Sequence, residues 1–178
     1  LHSTSRRQRQ MCIRDRDIKV GDKVLVDDGD VELIVVEKKD HYLKMMVTNE
    51  AVIKNRKSIN VPGASLKLKS LSDKDRAFID FAIDNNLDFI AHSFVRNKED
   101  VMAIQAILDA RGSKIKVIAK IENQEGVDNI DEILDYAYGV MVARGDLGIE
   151  IEAEKIPKIQ RYIAVSYTHL RAHETDQY

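Results

Sequence analysis

Cysteine is almost absent from this chain: its 178 residues hold one, Cys12. That excludes an internal disulfide and any metal site built on thiolates, and it fits a reducing compartment. Long apolar runs are missing too. None approaches the about 20 residues of a membrane-spanning helix, so the chain reads as soluble and without a membrane partner. Charge of one sign is also lacking, and a formal net charge of −2 gives no global case for nucleic acid. Neither GxGxxG nor GxxxxGK(S/T) occurs, which removes the usual sign of a doubly wound nucleotide domain. What is present is a 44% share of hydrophobic residues, enough for a real core in one domain or in parts of two.

The two ends differ from the middle. Leu1 to Arg16 carries Arg6, Arg7, Arg9, Arg14 and Arg16 against a single acid, Asp15, without periodicity. One reading is a basic arm for nucleic acid, or a transit peptide. The stronger one is that both ends are foreign to the fold. RRQRQMCIRDR and SYTHLRAHET resemble translated sequencing-adapter read-through. Residues 1–16 and 166–178 are therefore expected to be non-native tails, the second cutting off a helix at Val165.

Between the tails the pattern changes once. Residues 17–60 read as strands, with valine-rich Lys23 to Val26 and Val31 to Val36 separated by Asp27-Asp28-Gly29-Asp30. Asp-Gly between apolar runs signals a hairpin, because the turn needs positive φ. Tyr42 to Val47 and Ala51 to Ile53 look like a further pair. Asn60-Val61-Pro62-Gly63 then punctuates the chain.

Residues 61–165 alternate helix and strand. Ser72 with Asp75 caps a helix that places Phe78, Phe81 and Ala82 on one stripe. Phe89 to Ala91 is a strand ending in His92-Ser93-Phe94. Asn97 caps a helix with Val101, Ile104 and Leu108 in register, stopped by Gly112. Ile115 to Ile121 is a strand, and a third helix carries Val127, Ile130, Ile133 and Leu134. Gly139 to Ala143 is a strand, and a fourth helix carries Ile156, Pro157, Ile159 and Ile163. Strand–helix units imply a parallel sheet with right-handed crossovers, either open or closed into a (β/α) barrel. Charged residues at the ends of three successive strands favour the barrel, where active sites lie at that end.

Two stretches concentrate the chemistry: AKIENQEG, from Ala119 to Gly126, and MVARGDLGIE, from Met141 to Glu150. Lys120 and Glu122 are two apart on a strand and share a side. Asp146 lies just past the next strand. Two carboxylates with substrate oxygens and water can hold Mg²⁺, and the lysine can offset charge developing in phosphoryl transfer or enolisation. Spacing alone equally allows solvated loop residues or a structural ion pair. Gly145 and Gly148 could let a backbone approach a ligand, or merely turn into a short helix. Ser93, Phe94 and Arg96 could line the same mouth or form an ordinary loop. His92 receives no role. Lys54-Asn55-Arg56-Lys57 is a basic loop that could meet nucleotide phosphates.

KIENQEG, MVARGDLGIE, SFVR from Ser93 to Arg96 and KSINVPG from Lys57 to Gly63, in this order, resemble pyruvate kinase. The Asp27-Asp28-Gly29 turn resembles part of that family's lid. The resemblance covers about residues 17–165 and implies an α/β fold: a partial (β/α)8 TIM barrel of about three strands, preceded by part of a small all-β lid domain at 17–60. It implies an internal fragment of a cytoplasmic glycolytic enzyme, expected to be a homotetramer. That enzyme transfers a phosphoryl group from phosphoenolpyruvate to ADP, giving pyruvate and ATP. By the resemblance Lys120 is catalytic, Glu122 and Asp146 ligate Mg²⁺, Gly145, Asp146, Ser93 and Phe94 bind substrate, and Lys57 binds nucleotide. K⁺ is implied as well, with ligands outside this chain.

Departures accompany it. Ser58-Ile59 stands where the family usually shows Gly-Val, and His92 replaces a small residue. The N-terminal arginine, the K⁺ ligands and the threonine one strand after Asp146 have no counterpart here. The isolated chain is expected to be inactive or nearly so. Two other readings remain: a Mg²⁺-dependent phosphoenolpyruvate- or pyruvate-binding barrel lyase or aldolase, and a non-enzymatic module armed by Arg6 to Arg16. The lid hairpin and Lys57 argue against the lyase, and the mildly acidic core argues against the module.

Overall fold

The computed structural model describes residues 18–40, 42–55, 57–64 and 70–175. Asp17, Arg56, Cys12 and the arginine-rich arm from Arg6 to Arg16 lie outside the described residues. The chain divides into two compact units, 1–68 and 69–178.

The first unit is a four-stranded antiparallel sheet in the order β3-β2-β1-β4. Its strands are β1 (Lys23–Val26), β2 (Val31–Lys39), β3 (Tyr42–Val47) and β4 (Ile59–Asn60). The expected hairpin joins β1 to β2, and Asp27, Asp28 and Gly29 all take positive φ (59°, 57° and 98°). Aspartate tolerates that region better than most residues, so the acidic turn suits a geometry that a bulkier residue would strain. Val24, Val26, Val31, Leu33 and Val35 form the core of this unit with Ile18 and Val61.

One strand expectation fails. Ala51 to Ile53 is not a strand, and Val52 and Ile53 are exposed. The fourth strand is instead Ile59–Asn60, paired antiparallel with Leu25 and Val26. Short apolar runs signal strands only when a partner edge is within reach, and here the edge of β1 takes the later segment.

The second unit is a three-stranded parallel sheet in the order β5-β6-β7, flanked by helices. Its elements are α1 (Asp73–Asp84), β5 (Phe89–His92), α2 (Lys98–Ala110), β6 (Lys116–Ile121), α3 (Gln124–Asp128), α4 (Ile130–Leu134), β7 (Gly139–Val142), α5 (Arg144–Glu150) and α6 (Ile156–Thr175). The register pairs His92 with Ala119 and Ile121 with Val142, so β6 and β7 end together and β5 two residues earlier. Val117, Ala119 and Ile121 are buried with Val101, Ile104 and Leu108 of α2 and with Ile130 and Ile133 of α4. Alternation turns Lys120 and Ile118 toward the other side of the sheet. There Phe89 and Met141 stay exposed.

Local signals explain the helix starts. Ser72 and Asp75 form a complete capping box on α1, and Asn97 caps α2 by accepting from the Asp100 amide. Three expectations are corrected. Ile79 and Ala82, not Phe78 and Phe81, face the core of α1, and both phenylalanines are 60% exposed. The third helix is divided at Asn129 into α3 and α4, and the Asn129 side chain donates to the Arg96 carbonyl. The last helix runs on past Val165 to Thr175. Tyr167 donates to the Tyr138 carbonyl, and Tyr167 and Leu170 pack on the core.

Candidate functional site

The C-terminal ends of β5, β6 and β7 bring the charged residues of the second unit to one edge. β6 carries Lys120 and is followed at once by Glu122. Glu122 is 1% exposed, a costly position for a carboxylate unless it is paired. It is paired twice: Oε1 lies 2.5 Å from Lys120 Nζ, and Oε2 accepts from the Phe94 amide at 2.7 Å. Lys120 also donates to Ser93 Oγ at 3.0 Å.

Ser93 and Phe94 reach these groups because the chain turns sharply after β5. Phe94 has φ of 56°, a left-handed conformation that a bulky side chain adopts only where its surroundings hold it. The holding contacts are mostly main-chain. The Val95 amide donates to the Lys120 carbonyl at 3.3 Å, and the Val95 carbonyl accepts from Asn123 Nδ2 at 3.4 Å. Asn123 in turn caps α3 by accepting from the Gly126 amide at 2.7 Å. Gly126 has to be glycine, since a Cβ there would lie 2.4 Å from the Val95 carbonyl oxygen. The far side of the turn is anchored by Arg96, whose amide and guanidinium both donate to Asp100.

Gly145 and Asp146 occupy the first turn of α5, right after β7. Asp146 is half-buried, and its side chain makes no hydrogen bond or ion pair among the described residues. Lys120, Glu122, Ser93 and Phe94 are thus in mutual contact, whereas Gly145 and Asp146 share the edge of the sheet without joining that cluster. Lys57 belongs to the first unit. There its ammonium pairs with Asp27 at 2.7 Å, and Ser58 Oγ donates to Asp28 at 2.7 Å. Asp27 accordingly holds Lys57 above its ordinary value.

Sequence reasoning missed several residues around this edge. Asp100 is 2% exposed and ties Arg96 to Ser70, whose hydroxyl donates to it at 2.5 Å. Glu150 accepts from the Gln124 amide at 3.1 Å, and burial raises its carboxyl. Asn123 and Gly126 sit inside the AKIENQEG stretch, yet their job of docking α3 on the turn depends on a contact 28 residues away. No local spacing could reveal it.

Comparison with known proteins places these features in a family. Residues 10–171 match the family model described as pyruvate kinase, barrel domain. A pyruvate kinase of Borreliella burgdorferi is 53% identical over 146 residues, 82% of this chain and 31% of that protein. One of Geobacillus stearothermophilus is 51% identical over 150 residues, 83% of this chain and 26% of that protein. One of Staphylococcus aureus strain MRSA252 is 46% identical over 147 residues, 82% of this chain and 25% of that protein. The chain therefore spans between a quarter and a third of the curated relatives it matches.

Proposed function

The chain belongs to the pyruvate kinase family, and from that premise we propose that it carries the metal-holding, phosphoryl-facing part of a cytoplasmic glycolytic enzyme. The reaction moves a phosphoryl group from phosphoenolpyruvate to ADP and yields pyruvate and ATP. The parallel unit is read as three strands of a (β/α)8 barrel and the antiparallel unit as part of a lid. The whole enzyme is read as a homotetramer.

What carries this reading is Lys120, whose ammonium is steadied by Glu122 and the Ser93 hydroxyl at the end of β6. A fixed cation at a strand end stabilises the spread charge of a transferring phosphoryl group or of an enolate oxygen without having to reorganise. The donor set also suits a hard divalent cation. Among the described residues no three His, Cys, Asp or Glu cluster into a cage. Mg²⁺ commonly takes only one or two carboxylates and fills its sphere with substrate oxygens and water. Each oxygen of Glu122 accepts one contact, and an ionised carboxylate has about four lone-pair sites, so capacity remains.

Glu122 and Asp146 would hold the ion, which when bound neutralises charge on phosphoryl and carboxylate oxygens. Ser93 and Phe94 would border the substrate, and the backbone amides of Gly145 and Asp146 would donate to its carboxylate. Lys57 would contact the nucleotide. K⁺ is a second proposed cation, with no ligand assigned in this chain.

Mn²⁺ is a paramagnetic stand-in for Mg²⁺ and tests the site directly. Added to the chain, it should broaden the amide NMR signals of Phe94, Gly145 and Asp146 before others, more strongly with phosphoenolpyruvate present. Glu122→Gln should remove the effect. Broadening spread evenly over the acidic surface, or unchanged in that variant, would overturn the reading.

A further inference from the structure

α5 carries Gly145 and Asp146 yet is weakly secured. It has seven residues, and no side chain caps its start at Ala143. A helix this short does not hold itself, so its place depends on contacts outside it. Some of these are apolar or main-chain. Leu147 and Ile151 are buried in the core, and the Ala143 amide donates to the Ile121 carbonyl at 3.2 Å. The other is polar and comes from the far end of the helix: Glu150 Oε2 accepts from the Gln124 amide at 3.1 Å. Among the described residues this is the one side-chain hydrogen bond that α5 makes.

That bond joins the two parts of the site. Gln124 comes two residues after Glu122, and Glu150 lies four residues after Asp146 on the same helix. Positions four apart share a helix face, so the rotation of α5 that aims Glu150 at Gln124 also sets the direction of Asp146. α3 does not need the bond. Its start is already capped by Asn123 on the Gly126 amide, and Gly126 sits close against the Val95 carbonyl. Gln124 is exposed, so water could satisfy its amide instead. A carboxylate at this place also carries a cost that an amide would not. Burial raises Glu150, the Gln124 bond opposes that, and the Glu125 charge adds to it. A half-buried charge whose bond α3 can spare serves α5.

We propose that Glu150 is a positioning residue: by holding α5 to the Gln124 amide it fixes where Gly145 and Asp146 stand relative to Glu122. Its consequence for the metal rests on the proposed function, whereas its hold on α5 does not. Glu150 acts through the helix and is assigned no contact with ion or substrate. What the bond needs is an acceptor at the right reach rather than a charge. Glutamine meets that requirement, alanine lacks the oxygen, and aspartate stops one methylene short.

The test is amide NMR on the full chain, first without metal. The Leu147 and Ile151 amides donate within α5 to the Ala143 and Leu147 carbonyls, and the Val127 amide reports on α3. Glu150→Ala and Glu150→Asp should speed exchange of the two α5 amides several-fold and leave Val127 unchanged, while Glu150→Gln should keep the unmodified rates. Mn²⁺ is then added. In the unmodified chain it should broaden Phe94, Gly145 and Asp146 together. In Glu150→Ala, Phe94 should still broaden while Gly145 and Asp146 fall several-fold behind, and in Glu150→Gln the three should again move together. Unchanged α5 exchange in the alanine and aspartate variants, α3 loosening as much as α5, or a glutamine variant that behaves like alanine would overturn the inference. So would three amides that still broaden together in Glu150→Ala. A missing Mn²⁺ effect in the unmodified chain would instead sink the proposed function, and the metal-free exchange rates would still decide the role of Glu150.

Discussion

At the scale of single residues, the site depends on contacts too close to rearrange. Gly126→Ala would drive a methyl into the Val95 carbonyl oxygen. Overpacking of that kind costs about 1–3 kcal/mol, so thermal unfolding should come roughly 2–10 °C earlier, with the Phe94 amide among the most shifted signals. Glu122→Gln has a different signature. The amide can still accept from Phe94, but Lys120 loses its charged partner, and metal affinity should fall at least on the order of the 10- to 100-fold that even outer partners command. Asp100 supplies a pH test. Burial pushes its carboxyl up, yet the bonds from Arg96 and Ser70 outweigh that and hold it below the ordinary range. The unfolded chain then binds the proton first, so stability present above about pH 4 is lost as the pH falls through the native value. Asp100→Asn should flatten that acid limb in urea titrations; an unchanged limb would show that other carboxyls carry it.

Among elements, the most local signals were the most legible. Ser72 with Asp75, and Asn97 before α2, are helix starts that a few adjacent residues specify completely. Ser72→Ala should accordingly cost about 1 kcal/mol, read as an earlier melting temperature with α1 fraying first in amide exchange. The acidic hairpin and the stripe of Val101, Ile104 and Leu108 were equally readable, because turn chemistry and helical period act within a dozen residues. What escaped was decided at long range. Ile59–Asn60 becomes a strand only because β1 offers an edge, and Asn129, where a helix divides, bonds to the Arg96 carbonyl 33 residues away. Phe78 and Phe81 fit a helical stripe, but which stripe is buried depends on neighbours that periodicity does not name. The candidate site divides along the same line. Lys120 and Glu122 stood out from a two-residue spacing, whereas their contacts with Ser93 and the Phe94 amide close loops of 27 and 28 residues.

For the whole molecule, exposure governs what this chain does in solution. Among the described residues β5 and β7 each have one partner strand, and Phe78, Phe81, Phe89 and Met141 meet solvent. Unpaired edges beside apolar surface favour self-association. Phe78→Lys and Phe81→Lys should therefore lower light scattering at a given concentration while moving the melting temperature by no more than about 2 °C. Solvent access also weakens a charged centre, since water screens the field of the Lys120 ammonium. In an assay coupled to lactate dehydrogenase the purified chain should show no turnover or nearly none, and clear turnover would contradict that expectation. The turn after β5 has a consequence of another kind. Its grip runs through the amides of Phe94, Val95 and Arg96, the carbonyls of Val95 and Arg96, and the Arg96 guanidinium on Asp100. A half-exposed residue such as Phe94 can thus drift in identity while its amide stays on Glu122. Heredity here can experiment with what the mouth touches without redrawing the frame that holds it.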